Sequence, residues 1–187
     1  MTAAPWRIRP AGPDDADTLA LVGAATFLES FAGLVDGAGI ALHCARQHSA
    51  EAYRAYFAKG AKAWIAEIEP GGAPIGYALL ARPELAQAED GDVELKRIYL
   101  FSRFQGSGIA GGLMDAVKAA AAGHSRLLLG VKDDNHRALA YYRKHGFETI
   151  GTRRFDVGGK TYDDFVLACA LTATPPSLEP SIQSRSG

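Results

Sequence analysis

A glycine-rich segment near the middle of the chain has the residue types that bind phosphate. It reads Q-G-S-G-I-A at residues 105–110 and continues through Gly111 and Gly112. An apolar run typical of a strand, residues 93–101, precedes it, and apolar residues at helical spacing follow it. Glycines let the backbone approach an anion, and free N–H groups at the start of a helix point towards it. The segment therefore predicts a phosphate site between a strand and a helix.

Two nucleotide-binding motifs can be compared with this segment. A Walker loop requires lysine at the position of Gly112, so that motif is absent. The dinucleotide fingerprint G-x-G-x-x-G is present at residues 106–111, and Asp133 lies about where an acidic ribose ligand is expected. However, residues 102–105 separate the strand from the first glycine. The preceding strands also form a hairpin, whereas a dinucleotide-binding sheet alternates strands and helices.

A second motif, about 25 residues further on, favours a third interpretation. It reads N-x-x-A-x-x-x-Y-x-x-x-G-F from Asn135 to Phe147, and residues 105–110 fit the pattern Q/R-x-x-G-x-G/A. With both motifs, the chain resembles the GNAT superfamily of acetyl-CoA-dependent N-acetyltransferases over about residues 6–171. The finer resemblance is to the branch that acetylates polyamines and related small molecules. It rests on residues 26–31, T-F-L-E-S-F, and on the sequence around the glycine segment.

The resemblance implies acetyl-CoA as the acyl-donor cosubstrate and no metal. Backbone N–H groups of the glycine segment would bind its pyrophosphate, and the preceding strand would pair with its pantetheine arm. Asn135 would hold the pantetheine while capping a helix, and Lys144 would reach the adenosine phosphate. The implied cofactor-binding residues are Ile98, Tyr99, Leu100, Gln105, Gly106, Ser107, Gly108, Ile109, Ala110, Asn135, Tyr142 and Lys144.

Two side chains are candidates for proton transfer. The resemblance implies that Tyr142 protonates the departing thiolate. An amine of pKa near 10 is almost wholly protonated at neutral pH, so a base assists its attack. Glu94 is the candidate base, because some family members carry a glutamate with that role on this strand. Strict strand alternation places Glu94 on the same face as Lys96 and Ile98; its other interpretation is a surface carboxylate paired with Lys96 or Arg97.

His43, Cys44 and His48 lie close together in the sequence. The histidines are five residues apart, which is off one helical face, and no carboxylate completes a ligand set, so we expect no metal here. The resemblance places the acceptor pocket in this helical region. Other candidates for its lining are Phe27, Glu29 and Phe31.

The elements that position these residues follow from the spacing of apolar residues and from turn signals. We expect strands at about 6–9, 61–69, 75–81, 93–101, 126–131, 147–155 and 161–171, and helices at 14–31, 40–58, 109–120 and 135–145, with Ser49 restarting a helix within the second. This order argues for a mixed α/β (α+β) sheet with helices on both faces. The resemblance implies about seven mostly antiparallel strands with a splayed central pair. The acetyltransferase domain would span residues 1–171, followed by a disordered tail at 172–187.

Composition and charge bear on the expected partners, the location and the use of the cysteines. The formal net charge is −1 and no basic run is present, so we expect neither a nucleic-acid nor a membrane partner. The start of the chain lacks a signal peptide's apolar core, and a cytoplasmic location is expected. Cys44 and Cys169 form no C-x-x-C pair, which argues against a disulfide framework or a zinc ribbon.

The predicted activity is transfer of an acetyl group to a primary amine by direct attack. Two alternatives stay open: a non-catalytic acyl-CoA-binding regulator with the same fold, and a dinucleotide-binding enzyme. The acceptor is a small-molecule amine or a protein amine. A polyamine, an amino acid, an aminoglycoside-like compound and a protein N-terminus all fit the sequence, and the resemblance is compatible with a homodimer.

Overall fold

The computed structural model describes residues 5–157 and 160–171. The strands are β1 (Trp6–Ala11), β2 (Lys62–Ile68), β3 (Ala73–Ala81), β4 (Val93–Leu100), β5 (Arg126–Lys132), β6 (Glu148–Val157) and β7 (Lys160–Ala170). The helices are α1 (Ala16–Phe31), α2 (Gly37–Gln47), α3 (Ala50–Ala58), α4 (Ile109–Ala120) and α5 (His136–Lys144). The predicted tail at 172–187 lies outside the described residues.

All seven strands form one sheet in the order β1-β2-β3-β4-β5-β7-β6. Neighbouring strands are antiparallel except β4 and β5, which run parallel. Alternate side chains of β2 and β3 bury against α1 and α3 on one face and against α4 on the other. The mixed, mostly antiparallel sheet with helices on both faces is therefore confirmed.

The central strands β4 and β5 separate soon after they meet. They pair only through Val93 with Leu127 and Glu94 with Leu128. Between β3 and β4 the register jumps by one residue, so that Lys96 has no partner on β3. Such a bulge bends its strand and increases its twist, which carries the rest of β4 away from β5. The predicted splay is therefore confirmed.

The second predicted helix is two helices, and its predicted start was wrong. The helix α2 begins at Gly37, because the Asp36 side chain caps it by accepting the N–H of Gly39 at 2.9 Å. The restart is confirmed: the Ser49 hydroxyl caps α3 by accepting the N–H of Ala52 at 3.1 Å. Within the described ranges, no helix has the length and apolar character needed to cross a membrane.

Candidate functional site

The glycine segment forms a tight loop that ends at the first turn of α4. Gly106 has φ +83° and Gly108, the N-cap residue of α4, has φ +88°, which is backbone that side-chain-bearing residues rarely adopt. A Cβ on Gly106 would meet no atom within 4 Å, so the backbone angle, not packing, explains this glycine. The first N–H groups of α4 have no partner within the helix. The loop before them, residues 105–108, is exposed, which is the arrangement predicted for an anion site.

An exposed tryptophan lies beside this loop. Trp6 on β1 is 38% exposed, and its ring lies 3.9 Å from the position that a Cβ on Gly108 would take. Gly112 lets α4 approach β1 closely, since its Cβ would be 2.7 Å from Ile8 Cδ1. Sequence reasoning missed Trp6 as a site residue, because about one hundred residues separate it from the glycines and no local pattern joins them.

The edge of β4 that faces β5 carries unpaired backbone groups. Phe101 donates its N–H to the carbonyl of Ile75 at 3.0 Å, so the residues in phase with it on β4 point their backbone groups towards β3. In an antiparallel pair the alternate residues point the other way. Backbone groups of Ile98 and Leu100 therefore face the splay, whereas those of Tyr99 face β3.

The helix α5 brings Tyr142 to the splay. The residue is 9% exposed and packs edge-on against Phe147. Within the described residues its hydroxyl makes no hydrogen bond, and the ring belongs to the core cluster that packs under α4. Burial, and secondarily the nearby Tyr99, raises the pKa of Tyr142. The phenol is therefore protonated at neutral pH and able to donate.

The neighbouring residues of α5 hold this helix in place. Asn135 caps it by accepting the N–H of Ala138 through Oδ1 at 3.1 Å, as predicted. The Tyr141 hydroxyl donates to the carbonyl of Ala110 at 2.7 Å, which ties α5 to the first turn of α4. Lys144 lies exposed in the last turn.

Glu94 does not lie on the face that strand alternation predicts. The bulge at Lys96 shifts the phase of β4, so Glu94 shares a face with Arg97, and Ile98 faces the other way. That expectation was wrong because alternation assumes an unbroken strand. The Glu94 side chain is 2% exposed. Its Oε2 accepts the N–H of Glu84 at 2.7 Å and lies 3.1 Å from Lys96 Nζ, while Oε1 makes no hydrogen bond to any residue that the structure describes.

Both histidines belong to an aromatic cluster on the face of α1 and α2. The cluster consists of Phe27, Phe31, His43, His48 and Tyr53. His43 stacks on Phe27 with ring centroids 4.2 Å apart, and His48 Nδ1 lies 3.0 Å from the Tyr53 hydroxyl. Burial, and then the charge of Arg97, lowers the pKa of His43 to about 4 and that of His48 to about 3. Both rings are therefore neutral at neutral pH.

The other candidates for the acceptor pocket, Phe31 and Glu29, lie in different surroundings. Phe31 packs beside Phe27 with centroids 4.4 Å apart, and so belongs to the aromatic cluster. Glu29 instead accepts the N–H and the hydroxyl of Ser102, each at 2.9 Å. It connects α1 to the short loop that precedes the glycine segment, and its place in an acceptor pocket stays a prediction.

An ion pair from the last hairpin was also missed by sequence reasoning. Arg153 on β6 holds Asp164 on β7 at 3.0 Å. Its guanidinium covers β5 at Gly130, where a Cβ would lie 2.4 Å from Nη2. The signal was weak, since an Arg and an Asp on adjacent strands look like ordinary surface residues until the register is known.

Comparisons with known proteins agree with this geometry. The sequence profile described as Acetyltransferase (GNAT) family matches residues 38–147. An uncharacterized N-acetyltransferase of Mycobacterium bovis is 37% identical over 159 residues, which cover 84% of this chain and 98% of the relative; a relative from Mycobacterium tuberculosis matches to the same extent.

Solved structures share the fold at low sequence identity. The PaiA N-acetyltransferase of Thermoplasma acidophilum, in complex with coenzyme A, is 20% identical with a TM-score of 0.71 over 89% of this chain and 99% of that one. The ribosomal-protein-alanine N-acetyltransferase of Brucella melitensis is 23% identical with a TM-score of 0.65 over 88% and 99%.

Proposed function

The chain belongs to the acetyltransferase (GNAT) family, and from this premise we propose that it transfers an acetyl group from acetyl-CoA to a primary amine by direct attack. The acceptor is proposed to be a small molecule, bound on the face of α1 and α2. The acyl donor enters from the face of α4, and the two meet in the splay between β4 and β5.

The observation that carries this proposal is the splay itself. Backbone groups of Ile98 and Leu100 line an edge that has no strand partner beyond Glu94 among the described residues. Such groups need hydrogen bonds, and the amides of a pantetheine arm would supply them. The open edge leads at its far end to the N–H groups of the glycine loop, which suit a pyrophosphate.

Two side chains, Tyr142 and Glu94, have the properties of a proton donor and a proton acceptor for this reaction. The Tyr142 phenol, which burial keeps protonated at neutral pH, is proposed to donate its proton to the thiolate as it leaves. Glu94 is proposed to accept the proton of the attacking amine, through water at Oε1. The neutral histidines are poor bases near neutral pH, because their lowered pKa values lie far from it.

The test is thiol release from acetyl-CoA in the presence of an amine panel. We expect CoA release only when both an amine and the protein are present, and thermal stabilisation by acetyl-CoA but not by a nicotinamide dinucleotide. Acetyl-CoA binding without release from any amine would favour the regulator. Stabilisation by the dinucleotide alone would overturn the proposal.

A further inference from the structure

The guanidinium of Arg97 lies inside the aromatic cluster without an acidic partner. We propose that it binds an anionic group of the acceptor, so that the substrate is an amine carrying a carboxylate, of amino-acid size. This inference rests on the proposed function and specifies its substrate class. An acceptor that carries a carboxylate differs from the polyamine acceptor that the sequence resemblance suggested.

The contacts of Arg97 are aromatic or neutral. Its guanidinium carbon lies 5.3 Å from the ring centroids of both Tyr53 and Tyr56. Nη2 is 3.3 Å from Gln47 Oε1. Nη1 is shielded from solvent and makes no hydrogen bond within the described residues, and the buried Tyr77 hydroxyl also has none there. Two polar atoms in one cluster thus lack the partners that buried polar atoms normally have.

The acids around the cluster are engaged elsewhere. Glu29 binds Ser102, and Asp164 binds Arg153. Glu94 binds Lys96 and the N–H of Glu84. The Glu84 carboxylate, which the charge of Arg97 also reaches, binds Lys96 at 2.6 Å. The neutral histidines add no charge. Arg97 forms no ion pair with any side chain that the structure describes, so the cluster holds one positive charge without a direct counter-ion there. Cation–π contacts offset part of the cost of burying it, and a bound carboxylate would offset more.

The position of Arg97 suits an acceptor group. It directly follows the bulge, on the part of β4 that has left β5. It shares a face with Tyr99, which stacks on Tyr77 at 6.0 Å and influences the pKa of Tyr142. The backbones of Arg97 and Tyr99 are two strand residues apart, which is about 6.7 Å. This distance is on the scale of an amino acid. A polyamine would place a second cation against Arg97, which like-charge repulsion opposes.

The test compares each amino acid with the amine left after removal of its carboxylate. Suitable pairs are L-phenylalanine with 2-phenylethylamine, L-leucine with 3-methylbutylamine, and L-lysine with 1,5-diaminopentane. A charge-assisted contact predicts that kcat/KM favours the acid by roughly 10- to 100-fold. Arg97→Gln should remove this preference by slowing the acid alone, mainly through KM, and Arg97→Lys should restore part of it. The control is Arg54→Gln, because Arg54 is exposed and pairs with Asp17 on the surface; it should change neither substrate.

Calorimetric binding of the same compounds to the CoA-loaded protein separates the two claims. If no amine releases CoA, the proposed function fails, and the inference is judged on binding alone. Arg97-dependent binding of the acids would support it. Equal binding of acid and amine, or an Arg97→Gln variant that weakens both alike, would overturn it and show that Arg97 only supports the pocket.

Discussion

At the scale of single residues, burial sets the protonation states of the candidate proton-transfer groups. Tyr142 is a protonated donor because burial raises its pKa, while His43 and His48 are neutral because burial lowers theirs. The spacing of Asn135 and Tyr142 was visible in the sequence, and Asn135 caps α5 as predicted; the role of Tyr142 stays a prediction. The face of Glu94 and the surroundings of Arg97 were not predictable, because both depend on a bulge whose cause is the pairing of β4 with β3.

Tyr142→Phe removes the proposed proton donor. We expect kcat to fall by roughly 100-fold, as for loss of a general acid, with little change in KM for acetyl-CoA. The matched control is Tyr141→Phe, since the Tyr141 hydroxyl only bonds the carbonyl of Ala110; its kcat should stay within a few-fold. Steady-state kinetics decide this, and an unchanged kcat in Tyr142→Phe would exclude the role of general acid.

Glu94→Gln separates a base from a structural carboxylate. If Glu94 accepts the amine proton, the variant should lose roughly 100-fold in kcat/KM at neutral pH. It should recover as pH approaches the pKa of the free amine, about 10. The pH–rate profile is the measurement. A deficit that is constant with pH would mean that Glu94 serves only its contacts with Lys96 and Glu84.

At the scale of elements, one glycine of α1 makes room for a buried hydrogen-bonded pair, Tyr53 and His48. Gly23 lies in the middle of the helix, where glycine is unfavourable by about 1 kcal/mol relative to alanine. A Cβ there would lie 2.3 Å from the Tyr53 hydroxyl and 2.5 Å from His48 Nδ1. Helical spacing predicted α1, but the reason for its glycine became visible only once α3 was packed against it.

Gly23→Ala should destabilise the protein by about 1–3 kcal/mol despite the better helix propensity, because it overpacks a hydrogen-bonded pair. The matched control is Gly111→Ala in α4, where a Cβ meets no atom within 4 Å; it should be neutral or stabilising by up to about 1 kcal/mol. Urea unfolding midpoints provide the comparison. If the Gly23→Ala protein is as stable as the wild type, the Tyr53 and His48 side chains can shift without a loss of stability, which would contradict the close packing at Gly23.

At the scale of the whole molecule, the sheet separates the face covered by α1 and α3 from the face covered by α4, and its central strands part at the splay. Element order, strand number and the glycine-rich turn before α4 followed from periodicity and glycine positions, since these are local signals. The meeting of α1, α2, β4 and β6 at the aromatic cluster is non-local, and the sequence alone did not predict it.

The buried histidines also connect folding to pH. In the unfolded chain they bind protons below about pH 6.5, whereas in the folded protein they do so only near pH 4 and 3. Since the unfolded state binds more protons in this window, stability falls as pH falls through it. We expect a loss of about 1–2 kcal/mol per histidine between pH 7 and 5.

Urea unfolding of the wild type and of a His43→Gln, His48→Gln double variant at both pH values measures this effect. The variant should lose most of the pH dependence, while His124→Gln, at an exposed site, should keep it. The lowered pKa of His145 acts in the same direction. A double variant with the full wild-type pH dependence would contradict neutral, buried histidines.

The most direct measurement is the transfer of isotopically labelled acetyl from acetyl-CoA, followed by mass spectrometry of the amine, the CoA and the protein. Direct attack predicts one labelled amide on the amine for each free thiol formed, with no labelled protein intermediate. Labelled acetyl-CoA that binds to the protein but stays intact with every amine would contradict an acetyltransferase.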